Sequence, residues 1–381
     1  MGGLFFRRHA TASSFCSLCL FAKRGRVAWT RPCRLRHGGG APSVEPFGRL
    51  QAENSDIAAY GPAQAFLHRQ FGYRGLVLFS TQMTLHEHVS SADSSTSLPT
   101  RMPLDAAAAA AGSSATSRTS SSVKARSGGG KEVPTSKRTF YQVFVDREDA
   151  DNLVKNTVMC RPSVSFLNNA WQLMELPYTD WVCHSDICPY AAYVPQSPRS
   201  MAAAEPAPPI EHNFYTSYFE TEPNGNARPL ARLPGIEKVQ RARLRLSDVH
   251  AETSNGVRVS VIPFYLGRRG LDQQDQEFIW SYSIRLENLS DAPLTLRTRK
   301  WNVYTPREAK VNNERDRGVV GLEPRLTPQR PLFQYYSHMV LRSPSGQVWG
   351  EYEFQTANHS APVKVKIPPF SLESRLDTDT A

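Results

Sequence analysis

The stretch Trp280-Ser281-Tyr282-Ser283-Ile284-Arg285-Leu286-Glu287 alternates a large apolar side chain with a small or charged one from end to end. A period of two marks a strand with one face in a core and the other in water. Upstream, Val257, Val259 and Val261 alternate with Arg258 and Ser260 in the same way. Downstream the rule returns at Leu294 and Leu296, Trp301 and Val303, Phe333 and Tyr335, Val348 with Gly350 and Tyr352, and Val363, Val365 and Ile367. About seven such strands, with turn signals at 288–293 and 343–346, specify an antiparallel β-sandwich over residues 246–375.

The first half is less regular. Residues 73–79 form a compact apolar run suited to a buried strand, and 139–146 are β-branched and aromatic. Shorter strands fit 163–167, 171–175 and 181–184, and the spacing predicts a short helix over 57–69. Short strands with irregular turns predict a small β-barrel within 70–194. Between its strands, 89–131 is rich in serine, alanine and glycine. It lacks the apolar surface to offset the entropy of ordering, which predicts an inserted disordered loop. Residues 195–245 read as a proline-rich linker ending in a short charged helix, with Phe214, Tyr215, Tyr218 and Phe219 docking on a neighbour. Residues 376–381 are left as a tail.

The chain has 381 residues, 45 Lys+Arg against 35 Asp+Glu, and a net charge of +10. Eight of the cations lie in residues 1–44, where there is no acid, so the remainder holds 37 basic against 35 acidic residues. A nearly neutral body gives no charge-based case for a phosphate-binding face. The Arg- and Ser-rich leader over 1–50, free of acid as far as Glu45, reads as a mitochondrial transit peptide. No apolar run approaches the roughly 20 residues of a spanning helix, so no membrane partner is expected. Cys16, Cys19 and Cys33 fall in the leader, and Cys160, Cys183 and Cys188 in the body. That odd set closes no disulfide framework and favours a reducing compartment.

Particular residues carry a family resemblance. The segment from Val259 to Leu266, the stretch from Trp280 to Leu289, Arg299-Lys300-Trp301, Gly318-Val319-Val320-Gly321-Leu322-Glu323-Pro324 and Ile367-Pro368-Pro369-Phe370-Ser371-Leu372 resemble the ApaG domain. Tyr73-Arg74-Gly75-Leu76-Val77, Phe140-Tyr141-Gln142-Val143 and the segment from Trp181-Val182 to Ile187 resemble the YccV-like, or hemimethylated-DNA-binding, domain. The succession of leader, barrel and ApaG domain is similar to the polymerase delta-interacting protein 2 family, as are Leu246-Ser247-Asp248-Val249-His250 and the residues from Ile367 to Ser374. The resemblance implies a mainly β chain, an SH3-like barrel followed by a fibronectin-type sandwich. It further implies a non-catalytic adaptor of the mitochondrial matrix, and also of the nucleus. The implied partners are a DNA polymerase delta subunit, its sliding clamp, translesion polymerases and the ClpX unfoldase, in replication, damage tolerance and proteolysis.

No catalytic residues, cofactor or metal site are expected. Asp316-Arg317-Gly318-Val319-Val320-Gly321 approaches a phosphate loop, but Asp316 stands where the ApaG pattern has glycine, and no strand-to-helix turn follows. The glycines read as backbone geometry; Arg315 and Arg317 beside Gly318 and Gly321 remain a candidate anion site. In Cys183-His184-Ser185-Asp186-Ile187-Cys188 no second ligand pair stands at zinc spacing, and His86 and His88 read as solvent-facing. Glu351 and Glu353, two apart, read as a wet strand face. Arg241, Arg243 and Arg245, with Arg297, Arg299, Lys300 and nearby Trp301 and Tyr304, are the best basic clusters for nucleic acid, although Trp301 fits the core alternation. Two rivals to the adaptor stand: binding of modified or hemimethylated DNA by the barrel, and an enzyme or sensor of nucleoside polyphosphates.

Overall fold

A computed structural model describes residues 28–31, 45–51, 59–89, 133–168, 170–192, 207–270, 276–307, 310–356 and 361–374. Of the leader expected over 1–50, residues 28–31 and 45–50 are described and form strands rather than an unstructured segment; its other residues, most of the 89–131 insertion and the tail lie outside the described residues. In chain order the strands are β1 (Ala28–Arg31), β2 (Glu45–Leu50), β3 (Ala65–His68), β4 (Arg74–Val89) and β5 (Thr135–Val145). Helix α1 (Arg147–Lys155) follows, then β6 (Ser163–Leu167), β7 (Leu173–Pro177), β8 (Thr179–Cys183), β9 (Ile187–Ala192), α2 (Tyr215–Tyr218), β10 (Phe219–Thr221), β11 (Ala227–Pro229) and α3 (Leu233–Leu244). The last nine are β12 (Val249–Ser254), β13 (Val257–Arg269), β14 (Glu277–Asn288), β15 (Leu294–Thr305), β16 (Lys310–Arg317), β17 (Arg325–Leu326), β18 (Leu332–Leu341), β19 (Ser345–Thr356) and β20 (Val363–Glu373). The chain is mainly β, and no helix among the described residues is long and apolar enough to cross a membrane.

The chain divides into two compact units. The first comprises Met1–Ser80, Tyr141–Ala150 and Trp181–Pro234. In it β2 pairs with β9, β9 with β3, β3 with β4, and β5 with β4 and β8, the short-strand, barrel-like arrangement expected. The helix expected over 57–69 is not formed in its described part, which is a turn at 62–63 followed by the strand β3. Ala65, Phe66, Leu67 and His68 are all buried, and so short a run of apolar residues has no periodicity to separate strand from helix. Its ladders to β4 and β9 settle the matter.

Arg74 lies buried between two acids, Nη2 at 2.9 Å from Asp146 and Nε at 2.8 Å from Asp149. Burial, and then the Asp149 charge, raise the Asp146 carboxyl above its usual range against the pull of Arg74. Asp146 also accepts the Asp149 amide at 3.1 Å, capping α1, a helix that the sequence reading passed over. Residues 207–234, expected within a linker, belong to this unit. Ile210, Tyr215 and Phe219 are buried, and His212 stacks on Phe144 at 3.8 Å.

The second unit comprises Thr81–Phe140, Asp151–Asp180 and Gly235–Ala381. One sheet runs from the end of β4 through β12, β13 and β14 to β18; the other runs β16, β15, β19, β20, with β17 also on β15. Their facing side chains form one cluster that includes Val257, Val259, Val261, Trp280, Tyr282, Ile284, Trp301, Tyr335 and Tyr352, the residues of the alternating pattern. Leu294 with Leu296 and Trp301 with Val303 are not separate strands but one, β15. A bulge between Leu296 and Thr298 moves the inward positions from even to odd numbers, which the pattern showed as a break. The hairpin β6–β7 belongs here rather than with the barrel, and Trp171, expected in a strand, is an exposed residue of its turn with φ of 61°.

Gly75 sits where the packing of the first unit leaves no room for a side chain. A Cβ built there lies 2.6 Å from the Phe66 ring and 2.7 Å from the Phe144 carbonyl oxygen, both in the core. Gly75→Ala is expected to destabilise that unit by about 1–3 kcal/mol through overpacking, read as a lower urea midpoint at unchanged slope.

Candidate functional site

The turn after β16 carries the glycines of the candidate anion site. Val319 and Leu322 exchange amide-to-carbonyl bonds of 2.9 and 2.8 Å, and between them Val320 and Gly321 have φ of 45° and 78°. Two positive φ angles in a two-residue loop match the strand twist. Gly318 also has positive φ, 65°, and a Cβ there would sit 2.2 Å from the Leu322 oxygen; its own amide donates to Arg297 at 2.8 Å. Two of these amides therefore close the loop and the third is taken up by β15, so none of the three faces a ligand.

The arginines do meet around a depression. Arg315 and Arg317 of β16 line a shallow cavity of about 440 Å³ with Asp316 and, from β15, Arg297 and Thr298. Thr298 pairs with Arg317 across the ladder, so Arg297 and Thr298 join the group through a sheet register that the sequence reading did not foresee. Each cation has a carboxylate. Arg317 and Arg297 both pair with Glu323, Arg299 pairs with Asp316, and Arg315 reaches Glu353 at 3.2 Å. Lys300 bridges Glu351 and Glu353 at 2.7 and 2.6 Å. Arg297 and Arg317 together hold the Glu323 carboxyl below its usual range. Five cations on this face thus share four carboxylates, so most of its positive charge is cancelled, and surface pairs of this kind contribute little stability each.

Trp301, weighed as a base-stacking residue, is 1% exposed, tilted on Tyr282 at 5.4 Å and edge-on to Phe370 at 5.9 Å. The Arg299 guanidinium lies 5.2 Å from its ring. Arg241 pairs with Glu237 at 2.7 Å. In the first unit the possible metal ligands diverge. Cys183 accepts from Ser185, His184 bonds Tyr141 at 2.6 Å, Asp186 lies 3.9 Å from His68, and Cys188 is buried against Leu67. In the second, burial pushes the Cys160 thiol up to about 11, so it stays protonated.

The histidines read as solvent-facing are not so. The end of β4 pairs in parallel with β12, His86 opposite His250. The His86 ring stacks on His250 at 4.8 Å, His88 Nε2 lies 3.4 Å from His250 Nδ1, and His86 meets Asp248 at 3.2 Å. Burial, then the neighbouring His86 and His88, push His250 down to about 3 against the pull of Asp248; burial lowers His88 as well. In the unfolded chain both take a proton near pH 6.5, whereas in the folded chain they resist it. Stability of the second unit should therefore fall as pH drops from about 6.5 toward 3, by at most about 1.4 kcal/mol per pH unit for each such histidine. Denaturation curves at several pH values should show that slope, and His250→Gln should flatten it.

The ApaG domain model matches residues 269–356, the centre of the sandwich. Polymerase delta-interacting protein 2 of Mus musculus is 34% identical over 406 aligned residues, covering 100% of this chain and 98% of that protein. The Homo sapiens protein of the same name is also 34% identical, covering 84% of this chain and 77% of its own length. Protein ApaG of Rhodospirillum centenum is 38% identical over 126 residues, 33% of this chain and 94% of that one. End-to-end similarity at this level, around a sandwich whose core follows the ApaG pattern, means that the chain belongs to the polymerase delta-interacting protein 2 family and carries a C-terminal ApaG domain.

Proposed function

We propose that this chain acts by binding other proteins, as a non-catalytic adaptor of the mitochondrial matrix and also of the nucleus. A DNA polymerase delta subunit is its first partner; the sliding clamp and the ClpX unfoldase are further ones. The observation that carries the reading is the full-length relationship to proteins named for interacting with polymerase delta. Two features of the second unit support it. The cations that would serve DNA or a polyphosphate are matched by Glu323, Asp316, Glu351 and Glu353. And β18 ends its sheet among the described residues, with Val340 38% exposed on the outer part of that edge, where an extended partner segment can add as a strand.

Affinity capture with the full chain from mitochondrial and nuclear extracts should retain a polymerase delta subunit, and Val340→Pro should weaken that retention by disturbing the edge. Absence of polymerase, clamp and unfoldase from every eluate would refute the adaptor reading. Hydrolysis of a dinucleoside polyphosphate that Arg317→Ala abolishes would replace it with the enzyme. DNA affinity that falls steeply with salt would replace it with the nucleic-acid reading.

A further inference from the structure

A second cavity, of about 280 Å³, lies elsewhere on the ApaG-containing unit, lined by Asn156, Thr157, Val158, Arg325, Thr327, Arg330 and Leu332. Its lining holds the guanidinium of Arg325, that of Arg330, which has a partner of its own, two hydroxyls, an amide and no carboxylate. Arg297, Arg299, Arg315 and Arg317 each hold an acid, whereas exposed Arg325 on β17 makes no ion pair among the described residues. Glu323, two positions before it, is taken up by Arg297 and Arg317.

The walls are rigid. On one side, Thr157 ends α1 in a left-handed conformation, φ 54°, with Val158 donating to the Leu153 carbonyl and Thr157 to that of Val154, both at 3.0 Å. A β-branched residue there is strained, and it persists because the two bonds and the buried Leu153 and Met159 beside it determine the backbone. On the other side Thr327 and Arg330 close a tight turn through reciprocal backbone bonds of 3.0 and 2.9 Å. The Thr327 hydroxyl oxygen accepts the Arg330 amide at 3.1 Å, which leaves its proton available to donate. Asn156 spends Nδ2 on the Asn152 carbonyl at 2.6 Å, leaving Oδ1 as an acceptor at the rim.

We propose that this cavity binds a phosphate monoester, carried on a phosphorylated serine or threonine of a partner segment. Guanidinium and hydroxyl donors converging without a carboxylate suit a tetrahedral dianion, and arginine's planar fork suits it better than lysine. The volume lies just under the range of about 300–1,000 Å³ typical of small-molecule pockets, so it takes the phosphorylated side chain and not a dinucleotide. The choice of a peptide as carrier rests on the adaptor reading; the phosphate chemistry does not.

The test is calorimetric titration of the full chain with an alanine-glycine pentapeptide bearing a central phosphoserine, and with its unphosphorylated twin. The phosphopeptide should bind at least about tenfold tighter, the worth of one charged hydrogen bond. Arg325→Ala should abolish most of that difference at unchanged melting temperature, and Arg325→Lys should restore part of it. Equal binding of the two peptides, or a loss on Arg317→Ala and none on Arg325→Ala, would overturn the site. AMP binding as tightly as the phosphopeptide, with the same dependence on Arg325, would overturn the peptide assignment. No partner protein enters the assay, so its outcome and that of the capture experiment fail separately.

Discussion

The contact on which the second unit depends is the meeting of two sheets through their alternate side chains, with Trp301 at its centre. Trp301 reaches Tyr282 across the core and Phe370 on its own sheet, and all three are buried. Truncating an aromatic so placed typically costs about 3–5 kcal/mol. Because Trp301 and Val303 must point inward, Lys300 and Asn302 must point outward. The charged ladder of Lys300 with Glu351 and Glu353 is therefore a consequence of the core, formed where the sheet has turned those positions to water.

The same constraint separates two kinds of positive surface. On β15 and β16, Arg299 stands opposite Asp316 and Lys300 opposite Glu351, while Arg297, Arg315 and Arg317 reach Glu323 and Glu353 off the ladder, so the field that would attract a phosphate backbone is reduced. Arg325 escapes this matching because β17 is only two residues long and runs straight into the turn at Thr327. Its position beside the end of α1 comes from segments more than 160 residues apart in sequence. The unmatched Arg325 thus contrasts with the paired cations of β15 and β16.

The histidines illustrate a different use of burial. His86 and His88 border a segment of low complexity, which made solvent the natural reading. In the fold they lie on the last turns of the pleat of β4, against His250 on a strand that joins it in parallel. Parallel neighbours leave no hairpin signal in the sequence, so this pairing had no local trace.

Alternation is a local property, since successive side chains of a strand must point to opposite faces. For that reason the sandwich, its inward residues Val257 to Val261 and Trp280 to Leu286, and the turn role of Gly318 and Gly321 were legible from residue order alone. The signal failed where a segment is buried on both faces, as at Ala65–His68, or where a bulge changes its phase, as after Leu296. It also failed where proline suggested a linker although Ile210, Tyr215 and Phe219 pack inward. Which strands meet, and so which charges cancel, which histidines stack and where Arg325 stands, was decided by the tertiary structure alone. Those contacts join residues far apart in the chain, and their free energy appears only when distant segments are desolvated together.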